Sequence, residues 1–249
     1  MKKIIGGNEY HYVDPNSLID GHQFVDLGLP SRTLWASSNV GANSPYEIGS
    51  KFAWGEISPC YSFHRQWYDY KFTSLAHKDL QYFINRAHTY WRLNYQSEEE
   101  YKTYAELDRD RTARMMLNKY IFKTHFHDSD NKRILEQQDD VAHVIFGGRW
   151  RMPTKLDFEE LIKECEWDWR SINGVSGALV TGRNGKSIFF PADSSVCKYW
   201  TSVLSDNDKY YEDDRSCHAE NMFASSQLVE IRKEWRTYCF PVRPVCKRY

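Results

Sequence analysis

Between residues 23 and 55 no apolar run is long enough to build a helix. Phe24, Val25 and Leu27, then Leu34-Trp35-Ala36, then Phe52-Ala53-Trp54, are cut apart by Gly28, Pro30, Gly41, Pro45 and Gly49. Gly and Pro interrupt both helices and ladders, so this stretch reads as brief strands joined by tight turns. From about 74 to 130 the character reverses: the chain is polar, rich in aromatics and free of Gly and Pro, which is a helical composition. The expected architecture is therefore an α+β domain over 23–249 with a helical insert at about 74–130, preceded by an N-terminal arm over 1–22.

Within the insert, Ser97-Glu98-Glu99-Glu100 fits a capping box, and the spacing predicts a helix from there to about Phe122. It would turn Tyr101, Tyr104, Leu107, Met115, Leu117 and Tyr120 partly inward. Glu106, Asp108, Arg109, Asp110, Arg111 and Arg114 would form a solvated mixed-charge face. A second helix opens at Thr154, whose side chain can cap it, with Asp157 near its positive end. Phe158, Leu161, Ile162 and Cys165 follow at three- and four-residue spacing as a core-facing stripe. Strands are expected at 178–180, 187–190, 199–203, 228–231 and 238–245, with Asn173-Gly174 and Asn184-Gly185 as turn signals.

The 249 residues, 41% hydrophobic and 16% aromatic, suffice for one sizeable core. Lys and Arg total 33 against 34 Asp and Glu, a formal charge of -1, so nothing draws the chain generally toward nucleic acid or an anionic membrane. No segment approaches a membrane span. Lys2-Lys3-Ile4-Ile5 is followed at once by Gly-Gly-Asn-Glu-Tyr-His, without the apolar stretch of a secretory signal. The expectation is a cytoplasmic or virion-associated chain, or one whose leader has been removed.

Cysteines stand at 60, 165, 197, 217, 239 and 246, with no C-x-x-C pair, which argues against a zinc ribbon or dithiol motif. They read as buried reduced thiols, with bridges among Cys197, Cys217, Cys239 and Cys246 as the alternative in an oxidising compartment. No G-x-S-x-G, H-E-x-x-H, G-x-G-x-x-G or Walker loop occurs. His125, His127, Asp128, Asp130 and Asn131 are the densest group of potential metal ligands, but without a calcium loop's Gly and terminal Glu they read as a solvated turn. Asp139 and Asp140, adjacent on an extended segment, point apart and cannot readily converge on one substrate atom. Arg149, Trp150 and Arg151 read as scaffold, with Asp139 or Asp140 as carboxylate partner. No cofactor or metal is expected.

Residues 197–240 have the composition of a binding surface. Tyr199, Tyr210, Tyr211, Trp235 and Tyr238 interleave with Asp206, Asn207, Asp208, Asp213, Asp214, Arg215, Asn221, Arg232 and Arg236. Rigid aromatics give contact area at low rotamer cost and Asn, Ser and Asp adapt their hydrogen bonds. The candidate ligand-binding residues are Ser205, Asp206, Asn207, Tyr210, Tyr211, Arg215, Asn221, Arg232, Trp235 and Arg236. Tyr199 and Trp200, inside a strand, are assigned to the core.

Several motifs, in order, span most of the chain: Phe24-Val25-Asp26-Leu27-Gly28-Leu29-Pro30-Ser31, Thr33-Leu34-Trp35-Ala36, Asn39-Val40-Gly41-Ala42 and Phe52-Ala53-Trp54-Gly55-Glu56. They continue with Asp139-Asp140-Val141-Ala142, Gly147-Gly148-Arg149-Trp150-Arg151-Met152-Pro153-Thr154, the 181–188 stretch, Tyr199-Trp200-Thr201-Ser202 and Val242-Arg243-Pro244-Val245. Together they resemble the Fibrobacter-type major paralogous domain of gut Bacteroidota and their phages, a relative of the C-type-lectin-like and formylglycine-generating-enzyme folds. The family usually has Gly where Arg32 stands and Trp where Phe146 stands, and lacks so long an insert.

The resemblance implies a C-type-lectin-like fold with short mixed strands, two packing helices and the insert, in which strands near the two chain ends pair. It also implies a non-catalytic module whose C-terminal third recognises a protein or glycan on a cell surface, as in variable proteins of diversity-generating retroelements. The alternatives are a structural or assembly protein that forms homo-oligomers through the insert, and a formylglycine-generating type of enzyme. The last would need the paired cysteines of those relatives, whereas Cys239 and Cys246 lie in a strand of the scaffold.

Overall fold

The computed structural model describes residues 4–5, 8–9, 18–63, 65–73, 113–114, 117–121, 129–205 and 216–248. It is mixed and mostly β-sheet, an α+β chain with two α-helices among the described residues. All the strand pairs among the described residues are antiparallel. Among the described residues, β1 (Ile4–Ile5) and β2 (Asn8–Glu9) pair with each other and with no other strand.

A turn at Asp20 (φ 49°) and Gly21 (φ 83°) folds β3 (Leu18–Ile19) onto β4 (His22–Val25). β4 pairs with β5 (Thr33–Ala36), and β5 pairs on its other side with β14 (Val245–Lys247), in the order β14-β5-β4-β3. Strands near the two chain ends thus lie side by side. Residues 18–22, expected in the N-terminal arm, belong to this sheet: Asp20 accepts from Arg149 N at 3.0 Å and Ile19 O from Trp150 Nε1 at 2.9 Å. A second link joins β6 (Lys51–Phe52) to β13 (Phe240–Pro241).

Two three-stranded meanders follow. β7 (Glu166–Ile172), β8 (Val175–Thr181) and β9 (Ser187–Pro191) form one, with Asn173 (φ 53°) and Gly174 (φ 79°) making the two-residue hairpin turn their sequence predicts. β10 (Cys197–Leu204), β11 (His218–Ala224) and β12 (Val229–Trp235) form the other. The sequence reading missed β7 and β11. His-Ala-Glu-Asn-Met-Phe-Ala in β11 is locally closer to a helix, but pairing on both edges overrides that preference.

α1 (Val141–Phe146) is capped by Asp140, whose Oδ1 accepts from His143 N at 3.0 Å. α2 (Lys155–Glu164) starts at Thr154 in a capping box: Asp157 N donates to Thr154 Oγ1 at 3.2 Å and Thr154 N to Asp157 Oδ2 at 2.7 Å. Its Phe158 and Leu161 enter a core with Trp35, Val180, Ile188, Phe190, Tyr199 and Met222. A second core gathers Trp54, Tyr70, Phe72, Leu117, Tyr120, Trp200 and Phe240.

The helix expected to reach Phe122 does not extend over 117–121. Leu117 bridges to Thr73, which brings the two ends of the insert together, and Tyr120 has φ 57°, incompatible with a right-handed helix. Its capping box at 97–100 and most of its inward and charged positions lie outside the described residues.

Two further expectations are corrected by the contacts these side chains make. Cys239 is not a reduced thiol and pairs with none of Cys197, Cys217 and Cys246; it forms a disulfide with Cys60, with Cα atoms 5.9 Å apart. Arg151 is held by Asp157 at 2.7 Å and Arg149 lies 3.7 Å from Asp20, because Asp139 and Asp140 are engaged elsewhere.

Candidate recognition surface

In the β10–β11–β12 sheet, directly opposed residues share a face and alternate residues change face. One face carries Tyr199, Met222 and Ala224 and packs on Phe158 and Leu161 of α2; Lys155 reaches Glu220 there at 3.1 Å. The other face carries Lys198, Trp200, Asn221, Phe223, Glu230, Arg232 and Glu234. Phe240 covers Trp200, with ring centroids 4.6 Å apart. Toward β12 this face is open.

On the open part, Arg232 lies over the Phe223 ring, 3.5 Å from its centroid, and pairs with Glu230 at 2.5 Å. Lys198 pairs with Glu234 at 2.5 Å and stands 5.3 Å from the Phe240 ring centroid. Asn221 lies opposite Arg232 and donates from Nδ2 to the Arg232 carbonyl at 3.1 Å. Its Oδ1 is buried without a hydrogen-bond partner among the described residues. Half-exposed ion pairs over an aromatic floor form a surface that can exchange partners with a ligand at little desolvation cost.

Of the ten candidate residues, the sheet brings Asn221 and Arg232 together. Trp235, three positions from Arg232 in the strand, falls on the opposite face, where its ring meets His218 at 4.0 Å and Trp67 at 5.9 Å. Asp206, Asn207, Tyr210, Tyr211 and Arg215 lie outside the described residues. Ser205, which leads into that segment, is buried and donates from its backbone N to His218 O at 3.0 Å.

Arg236 is corrected from ligand-binding to scaffold. It is fully buried, with NH1 donating to Tyr120 O at 3.1 Å and Ser216 O at 2.9 Å, and NH2 to Lys119 O at 3.2 Å. Its Nε donates to the Tyr70 hydroxyl at 3.1 Å, and the Trp54, Tyr70 and Phe72 rings surround the guanidinium at 4.8–5.4 Å. Tyr70 in turn donates to Trp54 O, and burial raises its hydroxyl pKa well above the usual value. A cation whose donors meet carbonyls and whose faces meet rings is a structural pin.

No protein-family model, curated protein or solved structure matches the chain. Asp139 receives Lys71 at 2.8 Å, Lys119 at 2.6 Å and the Tyr120 hydroxyl at 2.7 Å. Burial works to raise its carboxyl, and these donors more than offset it, leaving it below the ordinary range. Asp140 goes the other way: burial raises it against the N–H groups of His143, Met152 and Ala142. The adjacent carboxylates therefore serve separate tasks, one tying the insert's ends to the scaffold and the other capping α1.

Asp130 accepts from the backbone N of Tyr120, Ile121 and Lys132, a turn role; His125, His127 and Asp128 lie outside the described residues. Among the described residues, no three His, Cys, Asp or Glu side chains are placed to hold one metal ion, and no helix is long and apolar enough to cross a membrane. Burial raises Cys165 and Cys246 to about 11 and Cys197 to about 12, which keeps these thiols protonated and unreactive at neutral pH.

Lys198, Phe223, Glu230 and Glu234 were not among the candidates. The signal for Glu230 was present in Val229-Glu230-Ile231-Arg232, a strict alternation of apolar and charged residues that marks a strand with one open face; Lys198, Phe223 and Glu234 join it only through strand pairing and position.

Proposed function

We propose that the chain is a non-catalytic recognition module on a C-type-lectin-like scaffold of the Fibrobacter-type major paralogous kind. It contacts a protein or glycan on a cell surface through the open face of the β10–β11–β12 sheet and the 206–215 connection. The observation that carries this reading is the Arg232–Phe223–Asn221 constellation: a guanidinium stacked on a ring beside a buried amide oxygen with no partner among the described residues. Aromatic and Arg anchors of this kind dominate binding energy at recognition surfaces.

Two local features support the resemblance. Arg32, where the family carries Gly, has φ 58°, a conformation that glycine adopts freely and other residues rarely do. Phe146, where the family carries Trp, keeps an aromatic's place: it stacks on His22 at 3.7 Å and meets Trp150 edge-on at 5.7 Å.

The test is binding of the purified chain to a panel of immobilised glycans and to intact bacterial cells. Arg232→Ala and Lys198→Ala, both at half-exposed positions, should retain the thermal midpoint and weaken any captured ligand by about tenfold or more. Unchanged binding by both variants would remove this face from the site.

A further inference from the structure

After Glu56 the chain makes a loop with a braced backbone that carries exposed aromatics. Tyr61 is 99% and Phe63 60% exposed, yet the backbone around them is fixed at three points. Cys60 N donates to Lys51 O at 2.7 Å, Cys239 N to Phe63 O at 2.9 Å and Arg65 N to Thr237 O at 2.7 Å. The Cys60–Cys239 disulfide adds a covalent tie. Exposed rings on a braced loop lose little backbone entropy when a ligand arrives.

The loop borders a cleft of about 680 Å³, lined by Pro59, Cys60, Tyr61, Phe63, Gln66 and Asp69, with Ser62 and Arg65 completing it. That volume suits a small molecule. The charges around it select the sign of its occupant. Arg65 NH1 lies 2.9 Å from Oε1 of the nearly buried Glu56, which also accepts from Lys71 N at 3.0 Å; the pair is neutral. The Lys71 ammonium is committed to Asp139 at 2.8 Å. Asp69 is exposed, and its carboxylate has no hydrogen bond or ion pair with a described residue. Among the described residues, the cleft therefore combines aromatic rings with one uncompensated negative charge.

Ring faces and a carboxylate both attract a positive charge, and together they favour a soft, weakly hydrated one. We propose that this cleft binds a small organic cation, an alkylammonium or quaternary ammonium ion, independently of the sheet surface. An anion is disfavoured because the one guanidinium among the described residues that line the cleft, Arg65, is already neutralised by Glu56.

The experiment is calorimetric titration of the oxidised 249-residue chain with choline and with its neutral isostere 3,3-dimethylbutan-1-ol. Choline should bind, and the isostere about fivefold or more weaker; Tyr61→Ala and Asp69→Asn should each weaken choline by about fivefold. Both substitutions fall on exposed side chains, and equal thermal midpoints would establish that the variants are folded. Absence of choline binding, equal affinity for the neutral isostere, or choline affinity unchanged in both variants would each overturn the proposal.

Discussion

Arg243 and Asn39, 204 residues apart in sequence, meet in the core, where Arg243 Nε donates to Asn39 Oδ1 at 2.7 Å. The guanidinium is fully buried and spends its other donors on Ala36 O at 3.1 Å, Ser37 O at 2.7 Å and Phe189 O at 2.7 Å. Asn39 passes the connection on, donating to the Tyr199 hydroxyl at 3.0 Å, and Tyr199 donates to Pro191 O at 2.8 Å. One side chain thus joins the β5 region, the end of β9 and the C-terminal segment. Arg243→Met would leave four buried acceptors without their donor. The expected loss is about 3 kcal/mol or more of unfolding free energy, read by urea denaturation; a loss under about 1 kcal/mol would show the network to be dispensable.

Arg32 is exposed, and no side-chain partner among the described residues offsets its left-handed backbone at φ 58°. Arg32→Gly should relieve more strain than the flexibility it adds to the unfolded chain, for a net gain of about 0.5–1 kcal/mol. Thermal unfolding of the two proteins side by side checks this, and a lower midpoint in the variant would contradict it.

The Cys60–Cys239 bridge closes most of the chain into a loop. Alkylation of the denatured, unreduced protein should label four of its six cysteines, and all six after reduction. Cys60→Ser should cost about 2–5 kcal/mol. Labelling of all six without reductant would exclude the bridge.

Acid should weaken the fold through Asp139 and Asp157. Burial raises each carboxyl, but Lys119, Lys71 and Tyr120 around Asp139, and Arg151 and Thr154 around Asp157, more than offset it and hold both below the usual range. A folded pKa below the unfolded value means their stabilisation is complete above about pH 4 and is lost as pH falls through the folded values. Asp140, raised by burial, acts in the opposite sense. Unfolding free energy measured from pH 7 down to about pH 3 should therefore decline below about pH 4, and Asp139→Asn should flatten that decline while lowering stability at pH 7. A decline as steep as the parent's would assign the acid sensitivity elsewhere.

Local physics was legible in the residues. Thr154 and Asp157 form their capping box because both partners sit within one helical turn, and Asn173-Gly174 makes its hairpin because those residues tolerate positive φ. Tyr199 and Trp200 were assigned to the core, and both are fully buried. Where two residues far apart in sequence had to find each other, the reading failed. Cys60 gave no sign that Cys239 would be its partner. Arg236 looked like a surface anchor beside Trp235, yet the Tyr70, Tyr120 and Ser216 oxygens supply a buried site for its charge.

The sequence by itself determined the α+β composition, the turns and the caps, since each depends on the conformational preferences of a few neighbouring residues. Tertiary structure alone decided which arginines are core and which are surface, which cysteines join, and that β11 is a strand. It also decided that Gly182 admits no side chain, because a Cβ there would lie 2.1 Å from Leu27 O. These outcomes rest on contacts between segments tens to hundreds of residues apart. Their energies enter only when the chain has closed those loops, so no local pattern encodes them.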